Sequence, residues 1–325
     1  IRPDVSFEKI GQAVSSRELF VLRFLPALFG SLLVLVVYGL ALALGGSKRA
    51  AFLAGCLILF DNAFLVESKF ILVDSFLFFF GFSSVFVFLL SQKQENRTGK
   101  YLLYFFSMAL AGLAISIKWT GLAFLGINLV LSFANSLKGI NFKRFLKFSA
   151  EVAVSLFLVA VVYTIPFVVH FKLLGRSGPG DAFMSSEFQK NLEGSTLGKA
   201  LESMSFQSKF TELNQAMFFY NSTLSKEHPD GSSWYQWPLM KKPVWYWNKT
   251  VDDQRANIYL AGNPLVWYSS LLAILAGLWF LSKRNKWAAS FLFFGYLANL
   301  LPFVVVSRVA FLYHDLPALV FAVLI

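Results

Sequence analysis

Apolar residues in this chain occur in long blocks, and this feature constrains the fold more than any other. We count nine such segments, which cover residues 20–45, 50–66, 70–90, 101–117, 119–135, 148–170, 264–282, 287–306 and 309–325. A helix needs about 20 mostly apolar residues to cross the hydrocarbon core of a bilayer. A helix of a water-soluble protein shows only an apolar stripe. The blocks therefore predict an all-α, polytopic integral membrane protein.

The composition agrees with this prediction and excludes one class of partner. Of the 325 residues, 57% are hydrophobic and only 14% are charged, which is too little polar surface for a soluble domain of this size. The formal net charge of +11 would suggest nucleic-acid binding in a soluble protein. Here the basic residues lie in short loops between apolar blocks, so membrane topology explains them and we expect no nucleic-acid partner.

The basic loops predict the orientation in the membrane. The loops at 46–49, 91–100, 136–147 and 283–286 hold twelve basic residues and one acid, Glu95. All four fall on the same side in the nine-segment count, and the positive-inside rule assigns that side to the cytoplasm.

The opposite side then holds the long segment 171–262. It has ten basic and nine acidic residues and is too polar for the bilayer core. We expect it to form an extracytoplasmic loop with short helices on the membrane surface.

The pattern divides the chain into four parts. Residues 1–19 are the end of an external loop, 20–170 an N-terminal transmembrane module of about six spans, 171–262 the long loop, and 263–325 a C-terminal module of about three spans. The chain begins at Ile1 in a polar stretch and ends inside an apolar run. Both ends look cut, so we expect a longer natural protein.

Several ionisable residues lie where they are costly. A charged group near bilayer depth costs about 2.5–3.5 kcal/mol on insertion scales. Glu67, Lys69 and Asp74 join two apolar blocks at the predicted outer face, and Asp61 lies within a block. A site for a charged ligand explains them. The alternative is a self-paired turn between two spans, in which Lys69 neutralises one acid.

Three further groups carry the same ambiguity. Lys118-Trp119 and Arg23 are near the outer ends of spans, where interface anchors are also common. The third group is a polar stretch within an apolar run, and it favours function because its groups need a cavity. Its members are Arg308, Tyr313, His314 and Asp315.

The long loop ends in an aromatic run, with Trp234, Tyr235, Trp237 and then Trp245, Tyr246 and Trp247. Such rings suit either an interfacial belt or a platform for a sugar or a peptide, and the sequence does not separate the two. The three histidines lack metal-ligand spacing, so we predict no metal site from them. A Gly-rich phosphate loop and a nucleophile elbow are also missing from the sequence.

Six stretches of this sequence are similar to the protein O-mannosyltransferases, a family of polytopic enzymes of the GT-C class. They are LRFLPALFGSLLV (22–34), LFDNAFLVESKFILVDS (59–75), GLAISIKWTGL (112–122), SSWYQWPLMKKPVWYW (232–247), GNPLVWY (262–268) and RVAFLYHDLPAL (308–319). The resemblance implies a GT-C-type transmembrane helix bundle of eleven spans, of which our nine would be the second to the tenth. Its active site would face the lumen or periplasm.

The resemblance also places part of the site outside this sequence. The family's catalytic Asp-Glu pair follows its first span, so it is expected before Ile1. Asp4 and Glu8 do not match that pair. The catalytic residues are therefore unknown, with Asp74 as a candidate, and the activity of the chain as printed is uncertain on this ground. Eukaryotic members carry β-trefoil repeats in the long loop, and 171–262 is too short for them, which implies a prokaryotic-type member.

Residue by residue, the resemblance implies four sets of roles. Binding of the donor phosphate falls to Arg23 and Lys118. The site is lined by Glu67, Lys69, Asp74 and Trp119. The groove for lipid or acceptor is lined by Arg308, Tyr313 and His314. The acceptor is bordered by His228, Trp234 and Trp237.

The implied function is transfer of mannose, with inversion, from a polyprenyl- or dolichyl-phosphate mannose to Ser or Thr hydroxyls of proteins. This would occur at the extracytoplasmic face of the plasma or inner membrane. Nothing in the sequence demands a cofactor, although the chemistry allows a divalent metal. Two alternatives stay open: a GT-C enzyme that glycosylates a lipid, and a transporter or flippase of lipid-linked sugars. A transporter often shows repeated halves with broken helices, and we find no such repeat.

Overall fold

A computed structural model describes residues 15–137, 141–224, 227–280, 286–306 and 308–325. Asp4, Glu8 and parts of two basic loops (138–140 and 281–285) lie outside the described residues. The α-helices in the described part, α1 to α12, are Ser16–Ala43, Lys48–Leu59, Asn62–Lys69, Asp74–Lys93, Arg97–Ile117, Leu122–Ser136, Phe142–Leu173, Ser186–Lys190, Phe206–Thr223, Pro264–Phe280, Lys286–Leu300 and Leu316–Val323. Two strands, β1 (Val244–Val251) and β2 (Gln254–Leu260), form one antiparallel hairpin.

The described helices confirm a multi-pass membrane protein. Six helical stretches are long and apolar enough to cross a bilayer: α1, α4, α5, α6 with the turn before it (119–136), α7, and Trp287–Val304. The pair α2 and α3, bent by 58° at its break, would make a seventh. Pro264–Gly277 and Leu312–Val323 are shorter apolar helices. Each of the nine predicted segments thus contains a helix, but the helices in the segments 264–282 and 309–325 are shorter than a full span.

Side-chain caps begin the helices that follow short polar loops. Ser47 accepts from the Ala50 N–H at 3.1 Å at the start of α2. Asn96 accepts from the Thr98 N–H at 2.9 Å at the start of α5. Such caps satisfy backbone donors that have no partner within the helix. The short loops therefore carry both the basic residues and the capping residues at which the next helix begins.

The bundle core is packed through aromatic side chains and small residues. Phe82 of α4 meets Phe124 of α6 and Phe321 of α12, with ring centroids 5.0 and 5.3 Å apart. At Gly81 a Cβ would lie only 2.3 Å from a ring carbon of Phe124. Small residues that let helices approach closely are common in membrane bundles, and here Gly81 permits the contact between α4 and α6.

The segment 171–262 departs from its prediction. It contains helices as expected, but only α8, with 5 residues, is short, whereas α9 has 18. It also contains the β-hairpin, which we did not predict. The hairpin turns at Asp252 and Asp253, both in the left-handed region with φ of 47° and 63°. Asn62 of α3 donates to the backbone oxygen of Ala261 at 2.9 Å, so the end of the hairpin is attached to the helix bundle.

The two ends of the bundle differ in character. α4 begins at Asp74 and ends at Lys93, and α5 returns from Arg97 to Ile117, just before Lys118. The basic residues of this hairpin of helices therefore lie at one end. Asp74 and Lys118 lie at the other, where the chain gathers most of the predicted site residues.

Candidate functional site

Two carboxylates lie at the break between α3 and α4. Glu67 is in the last turns of α3, and Asp74 is the first residue of α4. Both are buried, with 1% and 8% of their surface exposed. A buried carboxylate is costly unless it is paired or hydrogen-bonded, so the partners of these two acids define the site.

Lys118 is the partner of Asp74. The lysine ends α5 in an extended conformation, and its Nζ lies 2.9 Å from Asp74 Oδ1. The same Nζ lies 5.0 Å from the ring centroid of Tyr313, within range of a cation–π contact. The interpretation that Lys69 neutralises one of the acids is wrong, because Lys69 is exposed at the end of α3 and Lys118 occupies Asp74.

Tyr246 of β1 is the partner of Glu67. Its hydroxyl donates to Glu67 Oε1 at 2.7 Å, and its ring packs on Phe70 with centroids 5.2 Å apart. Burial, and then the charge of Glu67, raise the pKa of the Tyr246 phenol well above its usual value, so it stays a donor. Glu67 Oε2 has no hydrogen-bond partner among the described residues. Sequence reasoning placed Tyr246 in the aromatic run, as part of an interfacial belt or a platform, and did not foresee its bond to Glu67.

A stack of rings forms the wall beside Lys118. His314 stacks on Tyr313 with centroids 4.4 Å apart and on Trp237 at 5.8 Å. Its Nδ1 lies 3.1 Å from the backbone nitrogen of Phe311, which fixes the ring. Trp237 is fully buried and donates its indole N–H to Ser232 Oγ at 3.0 Å. The structure thus brings Tyr313, His314 and Trp237 together as predicted site residues.

The first of two cavities at the site opens beside this wall. It measures about 450 Å³. Its charged members are Asp74 and Lys118, and its aromatic wall includes Tyr313, His314 and Trp119. Most of the remaining lining is apolar and comes from α4, α6, α11 and the turn after α11: Leu77, Phe78, Leu122, Ala123, Ala298, Pro302, Phe303 and Val306. Such a cavity suits a ligand with an apolar chain and an anionic group.

The second cavity is larger and more polar. It measures about 740 Å³ and is lined by the loop residues His228, Trp234 and Trp237 together with Arg308. Arg308 also donates to the side-chain oxygen of Asn221 on α9. Phe303 and Val306 line both cavities. One narrow strip of chain therefore separates an apolar cavity from a polar one.

Of the predicted site residues Trp119 and Arg23, only Trp119 lies at one of these two cavities. Trp119 lines the first cavity, and its indole N–H donates to the Tyr163 hydroxyl at 3.0 Å. Tyr163 in turn donates to Asn214 of α9. Arg23 is exposed on α1 and lines neither of the two cavities. The structure therefore does not bring Arg23 together with Lys118, and its contact with a donor phosphate stays a prediction.

Asp61 has a structural position that sequence reasoning missed. Its Oδ1 accepts from the backbone N–H groups of Ala63 and Phe64 and so caps α3. Its Oδ2 accepts from the Asn263 N–H at 2.8 Å and from the Trp267 indole at 3.0 Å. Asp61 thus joins α3 to the beginning of α10, and these bonds account for its burial.

Within the part of the chain that the structure describes, no three His, Cys, Asp or Glu side chains come close enough together to hold a metal ion.

Two family models match most of the chain. The model described as dolichyl-phosphate-mannose-protein mannosyltransferase matches residues 1–175. The model of the C-terminal four-transmembrane region of protein O-mannosyltransferase matches residues 206–325.

Curated relatives agree with these models. Dolichyl-phosphate-mannose--protein mannosyltransferase 3 of Saccharomyces cerevisiae is 32% identical over 206 residues, which cover 60% of this chain and 27% of the yeast protein. Protein O-mannosyl-transferase 1 of Mus musculus is 35% identical over 222 residues, covering 63% of this chain and 29% of the mouse protein. The matched region is therefore less than a third of each relative.

Solved structures support the same fold. The S. cerevisiae protein O-mannosyltransferase Pmt1-Pmt2 complex bound to the sugar donor gives a TM-score of 0.87 at 16% identity, over 99% of this chain and 74% of that one. The Archaeoglobus fulgidus oligosaccharyltransferase in the apo form gives 0.51 at 18% identity, over 94% of this chain and 39% of that one. Both likenesses concern the fold, and they support the GT-C-type bundle.

Proposed function

The chain belongs to the dolichyl-phosphate-mannose-protein mannosyltransferase family, and from that membership we propose that it transfers mannose from a polyprenyl-phosphate mannose to Ser or Thr hydroxyls of proteins. The observation that carries the proposal is the pair of adjoining cavities. An apolar one holds Lys118 at its wall, and a polar one holds His228, Trp234 and Arg308. Two such spaces on either side of one strip suit a lipid donor and a peptide acceptor.

The donor occupies the apolar cavity in this proposal. Its isoprenoid chain lies among Leu77, Phe78 and Phe303, and its phosphate approaches the Lys118 ammonium. In a site from which water is excluded, a cation stabilises a phosphate more strongly than it does in water. Asp74 holds the ammonium within 2.9 Å and so positions it before the donor arrives. The similarity to a relative named dolichyl-phosphate-mannose--protein mannosyltransferase supports a lipid-linked donor in this cavity.

The reaction is a single displacement at the anomeric carbon. A carboxylate accepts the proton of the acceptor hydroxyl, the oxygen forms a bond to C1, and the bond from C1 to the phosphate oxygen breaks. The electron pair leaves with the polyprenyl phosphate, whose charge Lys118 stabilises, and the configuration at C1 inverts. Asp74 is our candidate for the carboxylate among the described residues, because it is the acid in contact with Lys118.

The acceptor lies in the polar cavity. His228, Trp234 and Trp237 offer ring faces and edges to an extended peptide, and Arg308 borders the same space. Tyr313 and His314 line the donor cavity. Glu67 lines neither cavity and contributes through its bond to Tyr246. Lys69 is exposed and lines neither cavity.

The same proposal assigns location and organisation. We place the cavities at the extracytoplasmic face of the plasma or inner membrane, because the basic loops at the other end of the bundle favour the cytoplasm. Residues 171–262 then form the extracytoplasmic part between transmembrane modules 20–170 and 263–325. The short loop favours a prokaryotic-type member.

A transfer assay tests the function. Membranes that contain the protein receive polyprenyl-phosphate mannose labelled in the sugar, together with a peptide rich in Ser and Thr. We expect label in the peptide and none after the hydroxyls are replaced by alanine. Label in a lipid product would support the glycolipid enzyme instead, and binding of the donor without any transfer would support a flippase. Either result would overturn the proposal.

A matched pair of variants tests the role of Lys118. Lys118→Gln removes the charge, keeps a polar group and shortens the side chain by one atom. We expect donor affinity to fall about ten-fold or more, in line with loss of a charge-assisted contact. The control is Lys249→Gln, at an exposed lysine on β1 that lines neither cavity. Equal donor affinity in both variants would remove Lys118 from the donor site.

A further inference from the structure

A third cavity lies at the opposite end of the bundle, where the mannosyl-transfer site cannot use it. It measures about 330 Å³ and lies between the ends of α4, α5, α6 and α7 that carry the basic loops. Clefts that hold small ligands measure about 300–1,000 Å³. Neither Lys118 nor any other residue of the two site cavities lines it.

The charge of this cavity is positive. Three basic residues line it, Lys100, Arg144 and Lys147, against one acid, Glu151. Glu151 is already engaged, since it accepts from the Tyr101 hydroxyl at 2.9 Å and lies 3.8 Å from Lys147 Nζ. The lining therefore carries a net positive charge, which favours binding of an anion.

The uncharged lining is polar as well. Its hydroxyls and amides are those of Gln92, Tyr101, Tyr104, Ser132, Asn135 and Ser136. Tyr101 and Ser136 already donate to Glu151 and to the Ser132 backbone oxygen, whereas the amides of Gln92 and Asn135 each carry a second N–H. Only Phe148 is apolar among the lining residues. Guanidinium, ammonium, hydroxyl and amide groups that converge on one space are the donor set that phosphate esters prefer.

An apolar groove adjoins this polar cavity. The groove measures about 620 Å³ and runs along α5 and α7, between Leu102, Phe105 and Ala109 on one helix and Leu158 on the other. Tyr101 lines both the groove and the polar cavity. Its ring also lies 5.6 Å from Lys147 Nζ and 6.0 Å from the Arg97 guanidinium carbon. A charged pocket at a helix end and an apolar groove along the same helices together match an amphiphile.

We propose that the polar cavity binds the phosphate headgroup of an anionic phospholipid and that the adjoining groove holds one of its acyl chains. Such a lipid sits with its phosphate at the level of the basic loops and its chain along the bilayer direction. It joins α5 and α7 at the end of the bundle remote from the transfer site. The groove argues for a lipid rather than a free phosphate, because a free phosphate has no apolar part to fill it.

Lipid retention measured by native mass spectrometry tests the proposal. The purified protein is loaded from vesicles of phosphatidylglycerol or of phosphatidylcholine with identical acyl chains, and inorganic phosphate is titrated in parallel. We expect one tightly held phosphatidylglycerol and no comparable phosphatidylcholine. Inorganic phosphate at millimolar concentration should neither displace the lipid nor raise the melting temperature as the lipid does. Phosphate that does both would overturn the lipid assignment.

Variants locate the site. The triple variant K100Q/R144Q/K147Q should lower phosphatidylglycerol affinity about 100-fold, since each basic residue near an anionic surface contributes roughly a five-fold gain. The matched control is K48Q/R49Q, which removes two cations of another basic loop that do not line the cavity. An equal loss per charge in this control would mean diffuse attraction to the surface and would refute the pocket.

A second variant keeps every charge. Ala109→Trp fills the groove, and we expect it to lower phosphatidylglycerol retention while the melting temperature in phosphatidylcholine stays the same. If the triple variant fails to fold, Lys100→Gln and Ala109→Trp still decide the matter, because Lys100 is exposed. Normal retention in both would overturn the proposal. All readouts are of binding, so they stand apart from the transfer assay.

Discussion

The hydrogen bond from Tyr246 to Glu67 allows a sharp test of how the hairpin is held to the helix bundle. Tyr246→Phe removes one oxygen and keeps the ring, so the edge contact with Phe70 is preserved. Glu67 is 1% exposed, and its other oxygen has no partner among the described residues. The variant therefore leaves a buried carboxylate with neither oxygen bonded in the described part of the chain.

The expected cost follows from the nature of this bond. A buried acceptor left without its hydrogen bond costs about 1–3 kcal/mol, and more when it is charged. We therefore expect the free energy of unfolding to fall by about 1.5–3 kcal/mol, which is roughly a 10- to 150-fold change in the equilibrium constant. The raised pKa of Tyr246 keeps the phenol protonated in the folded state. The stability that comes from the protonation of this phenol is fully present below pH of about 10, the ordinary tyrosine value, and declines above it.

Reversible unfolding in mixed micelles of a mild detergent and dodecyl sulfate measures this free energy. The control is Tyr259→Phe, at a tyrosine of the same hairpin that is 48% exposed, and we expect a change within about 0.5 kcal/mol there. A double-mutant cycle completes the test. In a Glu67→Leu background, Tyr246→Phe should lower the free energy of unfolding by about 0.5 kcal/mol or less, because no buried acceptor then loses its hydrogen bond. An undiminished cost in that background would refute the reasoning.

Two further predictions concern packing and the Asp61 junction. Gly81→Ala should destabilise the protein by about 1–3 kcal/mol, because its Cβ would lie 2.3 Å from a ring carbon of Phe124. The control Gly126→Ala should be neutral or stabilising, because nothing lies within 4 Å of its Cβ. Equal melting temperatures of the two variants would contradict the prediction. Asp61→Ala should lower stability by about 2–4 kcal/mol through loss of a helix cap and of its buried bond to Trp267. Trp267→Phe should cost only part of that, and a larger loss in Trp267→Phe than in Asp61→Ala would count against the junction.

The membrane architecture was predictable because it depends on composition within continuous windows. Blocks such as 70–90 and 148–170 need no knowledge of their neighbours to be recognised as helices, since every backbone polar group in a bilayer must be satisfied within the helix. The α4 and α7 helices fall on these blocks. The bend between α2 and α3 was not foreseen, because the polar residue that causes it, Asp61, read as a candidate site residue rather than as a cap.

The hairpin was missed for a local reason. Its two-residue turn is Asp252-Asp253, and the left-handed conformation that such turns need is usually marked by Asn-Gly or Asp-Gly. The strand before it is crowded with aromatic residues, which also suit an interfacial belt. A bulge between Trp245 and Trp247 further disturbs the alternation of faces.

The sequence allowed the site residues to be predicted, but not which of them form pairs with each other. Asp74, Lys118 and Tyr313 were recognised as residues that a bilayer tolerates poorly, and the structure brings them together. The partners were not recognisable, since Asp74 and Lys118 are 44 positions apart and Glu67 and Tyr246 are 179 apart. Sequence proximity favoured Lys69 instead, and only the packing of α5 beside α4 decides otherwise.

The longest of these links have a consequence for how the molecule is put together. Glu67 and Asp61 contribute the acceptors, and Tyr246 and Asn263 contribute the donors, from opposite sides of the exposed stretch around Gly198. Each half of the polypeptide thus carries what the other lacks. A chain break near Gly198 would leave both hydrogen-bonded pairs intact. We therefore expect two fragments that are synthesised separately to associate in one membrane through these bonds.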